Sequence, residues 1–262
     1  MKTNTLRQML RNGEPTLSTH IHSTWPSVIE AIGHAGVYDY VEFVAEYAPY
    51  TLYDLDNLAR AAELHGLGSM IKVDQSHQGF TAQRAVGSGF ESVLFTDAHS
   101  ADDVRRAISI VRPDTPGDDG QYGVAARRNA YMGHHTSPEY VEIIRDTVVA
   151  VMIEKGSAVE NIDEVLAVPG IDLIQWGGAD YSLSIGLPGQ RNHPDVKAAE
   201  KHVITTAQEM GIPARAEISS SDQAKYYLDL GVRHFSLGTD ITILYQWWKT
   251  NGEQLRKVMD GA

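Results

Sequence analysis

Residues 148–180 decide the fold, and they read as three pieces: VVAVMIE, then KGSAVENIDEVLAVPG, then IDLIQWGGAD. The first piece is an apolar, β-branched run that ends in Glu154. In the second, Val159, Ile162, Val165 and Leu166 recur at helical spacing, and Pro169-Gly170 ends the run. The third is another apolar run, closed by Gly177-Gly178-Ala179-Asp180. Strand, helix and strand within about 33 residues make one parallel βαβ unit. Parallel neighbours end at the same edge of a sheet, so Glu154 and Asp180 are expected to meet there. Two carboxylates at neighbouring strand ends suit Mg²⁺ or Mn²⁺, with waters and substrate completing the coordination.

Outward from this unit the same rhythm fills the chain. Strands are expected at 16–21, 40–44, 69–73 and 92–95 before it, and at 213–218 and 233–237 after it. Helices are expected at 26–35, 52–64, 82–86, 101–111 and 138–146, then at 194–210, 221–230 and 241–258. Eight strands alternating with helices over about 250 residues indicate a (β/α)₈ TIM barrel formed by residues 1–262 as one domain. The alternative is an open doubly wound sheet, against which no GxGxxG or GxxxxGK[ST] loop follows any strand.

A barrel carries its active site at the C-terminal ends of its strands. The polar residues expected there are His20, His22, Glu46, Lys72, Thr96, Asp97, Glu154, Gln175, Asp180, Glu217 and Asp240. So many ionisable groups favour a catalytic mouth over a purely structural barrel. The polar stretch 112–136 is long for a loop and carries Arg127, Arg128, His134 and His135. It is expected either to cover the mouth or to meet a neighbouring subunit. The tail 241–262 sets Trp247 and Trp248 beside Tyr245, either for an oligomer interface or for packing on its own barrel.

Composition narrows the chemistry. The 262 residues contain no cysteine, which excludes disulfides, thiolate catalysis and Cys-ligated zinc. A net charge of -12 argues against nucleic-acid and anionic-membrane partners. No run approaches the roughly 20 apolar residues of a membrane span. The first residues lack an apolar signal core, so a cytoplasmic location is expected.

Among the candidate residues, Glu154 and Asp180 form the strongest pair, against a plain reading in which each merely caps a helix. The small residues Gly177, Gly178 and Ala179 let backbone N–H groups approach a bound carboxylate. Lys72 ends the apolar strand SMIKV, placed to neutralise an enolate oxygen or to form a Schiff base, against the alternative of a snorkelling lysine. His20 and His22 lie two apart and share a face, but without a third ligand they do not define a zinc site. A Ser-His-Asp triad has no GxSxG turn to support it.

Four stretches, EYAPYTLYDLDNLARAA, IEKGSAVENIDEVLAVPGID, GGADYSLSIGLPGQRNHPDV and YLDLGVRHFSLGTDITIL, resemble the metal-dependent class II pyruvate aldolases of the HpcH/HpaI kind. The similarity runs from about Gly13 to Leu244. It implies a TIM barrel assembled as a homohexamer through exchanged C-terminal helices, with a trimer as the smaller possibility. It implies that Glu154 and Asp180 hold a divalent cation: Mg²⁺ first, Mn²⁺ or Co²⁺ as alternatives. It implies that the cation chelates a 2-oxo acid whose carboxylate rests on the N–H groups of Gly178, Ala179 and Asp180. The reaction implied is aldol cleavage, with the cation stabilising the enolate as a Lewis acid.

The departures from the family pattern cluster at the mouth. The family's Asp-Gly-Glu-His motif is Val44-Ala45-Glu46-Tyr47 here, which keeps Glu46, expected to support the metal site from behind its ligands, and loses the Asp/His base pair. The family arginine at the end of strand three is Lys72, and a common tryptophan of strand one is His20. Lysine keeps the charge but not the planar fork. The expected function is a divalent-metal-dependent carbon–carbon lyase acting on a 2-oxo acid, with Lys72, Tyr47 and His20 as the catalytic candidates. The alternatives are another enolate reaction (decarboxylation, C–O elimination or condensation) and a non-catalytic metal- and ligand-binding homologue.

Overall fold

The computed structural model describes residues 4–124 and 136–261. Its eight strands close into a parallel barrel in chain order: β1 Thr16–Ile21, β2 Tyr40–Val44, β3 Gly68–Val73, β4 Ser92–Phe95, β5 Val148–Ile153, β6 Leu173–Trp176, β7 Ala214–Ile218 and β8 His234–Thr239. β8 pairs with β1, which closes the cylinder and leaves no open sheet edge. The open doubly wound alternative is thereby excluded.

The helices lie outside because each strand is apolar on its outer face and each helix has one apolar stripe. Helix Leu52–Leu64, for instance, buries Leu55, Leu58, Ala59, Ala61 and Ala62. It starts at a capping box, where Thr51 and Asp54 satisfy each other's backbone N–H groups. Ser100 and Ser137 cap helices Ala101–Ile110 and Pro138–Arg145 in the simpler one-sided way.

Four local features differ from the sequence expectation. Helix Thr5–Arg11 forms ahead of β1 and covers the N-terminal end of the barrel. Its Leu6 plugs the interior against Tyr40, Met70, Leu94, Val148 and Leu173. Its Arg7 donates to Asp172 at 2.7 Å and to the Thr147 carbonyl at 3.0 Å. Asp172 also accepts from the Val149 N–H, so β6 begins at Leu173 rather than Ile171. Second, the helix after β5 breaks at Asn161 into Gly156–Glu160 and Ile162–Leu166. Third, Gly178-Ala179-Asp180 opens a short helix, Gly178–Ser184, that the sequence reading does not include. Fourth, residues 112–124 fold back on themselves. Tyr122 N–H donates to the Arg112 carbonyl at 2.9 Å, and Arg145 clamps Asp118 with two 2.8 Å hydrogen bonds. Arg127, Arg128, His134 and His135 lie outside the described residues.

The tail is one helix, Asp240–Met259, and Asp240 is its single buried residue. Trp247 and Trp248 stand about three-fifths exposed (62% and 61%), so the tail does not pack its aromatics on its own barrel. No helix among the described residues is long and apolar enough to cross a membrane.

Candidate active site

The barrel interior is divided. On one side Met70, Leu94, Ala150 and Leu173 fill it with hydrocarbon. On the other, Ser18, Glu42, Gln175, Arg215 and Ser236 fill it with polar groups, all fully buried. Above this layer, at the C-terminal ends of the strands, lie His20, Lys72, Glu154 and Glu217.

Glu154 follows β5 and is buried (3% exposed). Its Oε1 accepts the N–H of Asp97 at 2.8 Å. Asp97 is held in the left-handed region (φ 58°), and its carboxylate pairs with Lys155 at 2.5 Å, so the loop after β4 braces the loop after β5. Gly177 sits against the other side of Glu154. A Cβ there would lie 2.6 Å from both Cβ and Oε2 of Glu154, which explains the first glycine of the Gly-Gly pair. Burial pushes the Glu154 carboxyl up to about 7, the Asp97 N–H and Lys72 oppose the shift, and the charges of Asp97 and Asp180 add to it. Asp180 lies in the first turn of helix Gly178–Ser184, whose first N–H groups have no partner inside the helix.

Lys72 is the penultimate residue of β3, and its Nζ is 2.6 Å from Glu46 Oε2 and 3.4 Å from the Tyr47 hydroxyl. The ammonium also stands 4.8 Å from the centre of the Tyr47 ring. Burial alone would lower the lysine, but the ion pair with Glu46 outweighs it and holds Lys72 above the usual lysine range. Lys72 is therefore a fixed cation, which disfavours the free amine that Schiff-base chemistry needs. Burial raises the Tyr47 phenol, with Lys72 opposing. Tyr47 is thus a hydrogen-bond donor at neutral pH rather than the phenolate a base would require.

His20 lies on β1, with Nε2 3.1 Å from Glu42 Oε1 and Nδ1 3.6 Å from Glu217 Oε1. Beneath it, Glu42 and Arg215 form an ion pair with no solvent exposure on either side chain. Arg215 also donates to Gln175 Oε1 at 2.5 Å and to Ser18 Oγ at 2.9 Å. The arginine overcomes the burial of Glu42 and holds its carboxyl far below the usual range. β8 carries one extra residue opposite this point: Ser18 pairs with Ser236, but His20 pairs with Thr239, and Gly238 takes up the irregularity at φ 73°. Such bulges re-aim side chains next to sites.

The structure thus gathers most of the residues expected at the mouth. Two of them have structural partners instead. Asp240 accepts the N–H groups of His22 at 3.0 Å and Ser23 at 2.9 Å. Gln175 lies a layer lower, where it accepts from Arg215. The sequence reading overlooked Glu42 and Arg215. The available signal was a charged residue inside each of two short strands, Glu42 in YVEFV and Arg215 in ARAEI, both of which the barrel buries.

For a metal ion, no set of three or more His, Asp or Glu side chains gathers among the described residues. The carboxylates available are Glu154 and Asp180. They fit a hard divalent cation. Glu154 is buried, has no ion pair among the described residues, and is driven toward protonation by its surroundings. A cation beside it would supply the missing positive charge.

A closed β/α barrel whose strand ends bring together a buried carboxylate, a helix-start aspartate and a fixed lysine is a barrel enzyme with an acid-rich site suited to a divalent cation. Comparison with known proteins makes the assignment specific. The profile of the HpcH/HpaI aldolase/citrate lyase family matches residues 18–246, and the chain belongs to that family. It is an enzyme family of aldolase and lyase type, generally dependent on a divalent metal. A hydroxypyruvate/pyruvate aldolase of Paraburkholderia phytofirmans is 28% identical over 243 residues, covering 91% of this chain and 92% of the relative. A 2-keto-3-deoxy-L-rhamnonate aldolase of Escherichia coli is 28% identical over 244 residues, covering 93% and 89%. A crystal structure of an HpcH/HpaI aldolase/citrate lyase family protein from Burkholderia cenocepacia superposes with a TM-score of 0.87 at 27% identity, covering 97% of this chain and all of that one.

Proposed function

We propose that this protein cleaves a 4-hydroxy-2-oxo acid to a pyruvate-type acid and an aldehyde, or runs the reaction in reverse. The single observation that carries the reading is Glu154. It is a buried carboxylate without an ion pair among the described residues, pressed against Gly177, beside Asp180. The aldolase names of the two relatives support it.

In this reading Glu154 and Asp180 hold the cation, and Mg²⁺ is the first choice because the donors are hard oxygens. The bound cation supplies Lewis-acid stabilisation of developing enolate charge. The chain's own residues do the rest. Amides at the start of helix Gly178–Ser184, those of Gly178, Ala179 and Asp180, receive the substrate carboxylate. Lys72, fixed by Glu46, places a permanent positive charge beside the enolate oxygen. Glu46 would act on the metal site indirectly, by holding this lysine in place. Tyr47 donates a hydrogen bond, and His20 moves the proton. The exposed aromatic tail meets a second copy of the chain, in a trimer or hexamer of single-domain barrels. A cytoplasmic site of action goes with the absence of cysteine.

The test is pyruvate release from a panel of 4-hydroxy-2-oxo acids in the presence of Mg²⁺ or Mn²⁺. Metal-dependent release that disappears in Glu154→Ala supports the proposal. Metal binding with no release from any member of the panel sinks it.

A further inference from the structure

Burying an ion pair of unlike charges in a barrel core brings little or no net stability compared with a hydrocarbon pair. The other side of this interior is built from hydrocarbon, so the Glu42–Arg215 pair calls for a reason. Its connections supply one. Arg215 holds Glu42, Glu42 faces His20 Nε2, and His20 Nδ1 faces Glu217. Gln175 donates to Glu217 Oε2 at 3.4 Å and accepts from Arg215, which closes the ring. Glu217 is the most open member of this ring at the mouth, its side chain about half exposed (48%) beside the His20 ring. Strand two offers no competing base, because Val44 is apolar and Tyr47 lies against the Lys72 ammonium.

Resting on the aldol reading above, we propose that Glu42 is a positioning residue that fixes His20 as its Nε2–H tautomer, and that His20 Nδ1 with Glu217 is the proton-transfer pair of the site. Of the two carboxylates beside the ring, Glu42 is the nearer (3.1 Å against 3.6 Å for Glu217) and is fully buried, so it keeps the proton on Nε2 and leaves Nδ1 free to accept. In cleavage, the proton of the substrate 4-hydroxyl passes to Nδ1 as the C3–C4 bond breaks. The C4–O bond becomes the aldehyde carbonyl, and the electron pair of the broken bond becomes the enolate. Glu217 then faces the imidazolium, and the proton returns to the enolate carbon. Nε2 and Glu42 are within hydrogen-bonding distance but off the ideal line. Catalytic hydrogen bonds of this kind tighten when substrate binds.

The tautomer is read directly by NMR of protein labelled with ¹⁵N-histidine, with the His20 signals assigned by their loss in His20→Gln. The wild type is expected to show Nε2–H. The double variant Glu42→Met/Arg215→Met removes the pair as a unit and avoids leaving a lone buried charge. It is expected to lose the single tautomer and to reduce kcat on the order of 10²-fold with KM kept. Glu217→Gln, on the rim, is expected to lower kcat with KM kept and to leave the tautomer intact; it serves alone if the double variant fails to fold. An Nδ1–H or mixed tautomer in the wild type overturns the proposal, as does wild-type kcat in either variant. A wild type that cleaves no 4-hydroxy-2-oxo acid overturns the aldol reading and the transfer role, while the tautomer still decides whether Glu42 positions the ring.

Discussion

The Glu42–Arg215 pair allows a stability experiment whose magnitude follows from burial. Both side chains are fully enclosed. Arg215→Met leaves the Glu42 carboxylate without its guanidinium, and losing one partner of such a pair costs about 3–5 kcal/mol. For a domain of this size each kcal/mol is worth roughly 2–4 °C of Tm, so the drop is roughly 6–20 °C. Glu42→Met, which strands Arg215 instead, belongs in the same range. The double variant returns close to the wild type, because the two methionines refill the space without a charge. The pH dependence has a fixed sign. In the wild type Glu42 is held far below 4.5, so the stability it contributes is complete above that value and is lost only as pH falls through the depressed one. In Arg215→Met burial loses its largest counterweight, with His20 and Lys72 still opposing it, and the carboxyl rises from its depressed value. Protonation then relieves the variant as pH falls, and the gap to the wild type narrows from pH 8 toward pH 5. The assay is thermal and urea unfolding of the four proteins across that range at one fixed protein concentration. Single variants within 2 °C of the wild type, or a double variant as unstable as the two singles added, would refute the reasoning.

Three further outcomes are expected. Gly177→Ala places a methyl 2.6 Å from Glu154 Cβ and Oε2, so Glu154 must move; Mn²⁺ affinity measured by calorimetry should fall about 10- to 100-fold, on the scale of losing a ligand's support, with an overpacking cost of about 1–3 kcal/mol. Mn²⁺ at 100 times its Kd should stabilise the protein by about 2.7 kcal/mol, read as a rise in Tm that chelator reverses and Glu154→Gln abolishes. His234 is buried beside Thr16, and burial together with Arg233 and Arg215 lowers its pKa from 6.5 to about 4. The unfolded chain therefore takes up this proton first, and roughly 3 kcal/mol of stability is lost as pH falls from 6.5 to about 4; urea midpoints at pH 7 and pH 4.5 should differ less in His234→Gln than in the wild type.

Much of this architecture is legible in the chain, for identifiable reasons. The run 148–180 shows its βαβ unit because parallel barrel strands are apolar on both faces and a helix is apolar on one, so the period changes visibly at Lys155 and again at Ile171. Glu154 and Asp180 stand out because each ends an apolar run. Glu42 and Arg215 do not, since each charge is one residue among strand neighbours and its partner lies on a distant strand; only closure of the cylinder brings β2 and β7 face to face. The N-terminal plug is invisible for a similar reason. Leu6 and Leu10 give helix Thr5–Arg11 too short an apolar stripe to announce itself, and its place is set by Arg7 reaching Asp172. The helix Gly178–Ser184 hides behind two glycines, poor helix formers, although Gly177 is required by Glu154 packed against it. The replacement of a base by Tyr47 beside Lys72 is visible as composition, but its consequence is not. The ion pair with Glu46 and the burial that keep one group charged and the other neutral exist only in three dimensions.

The most direct test of the account is hydrogen exchange at the methyl group of pyruvate in D₂O, followed by NMR with and without Mg²⁺ or Mn²⁺, in the wild type and in Glu154→Ala. The account requires exchange that depends on the metal and vanishes in the variant. Exchange that proceeds equally without metal, or that survives the loss of Glu154, would contradict it.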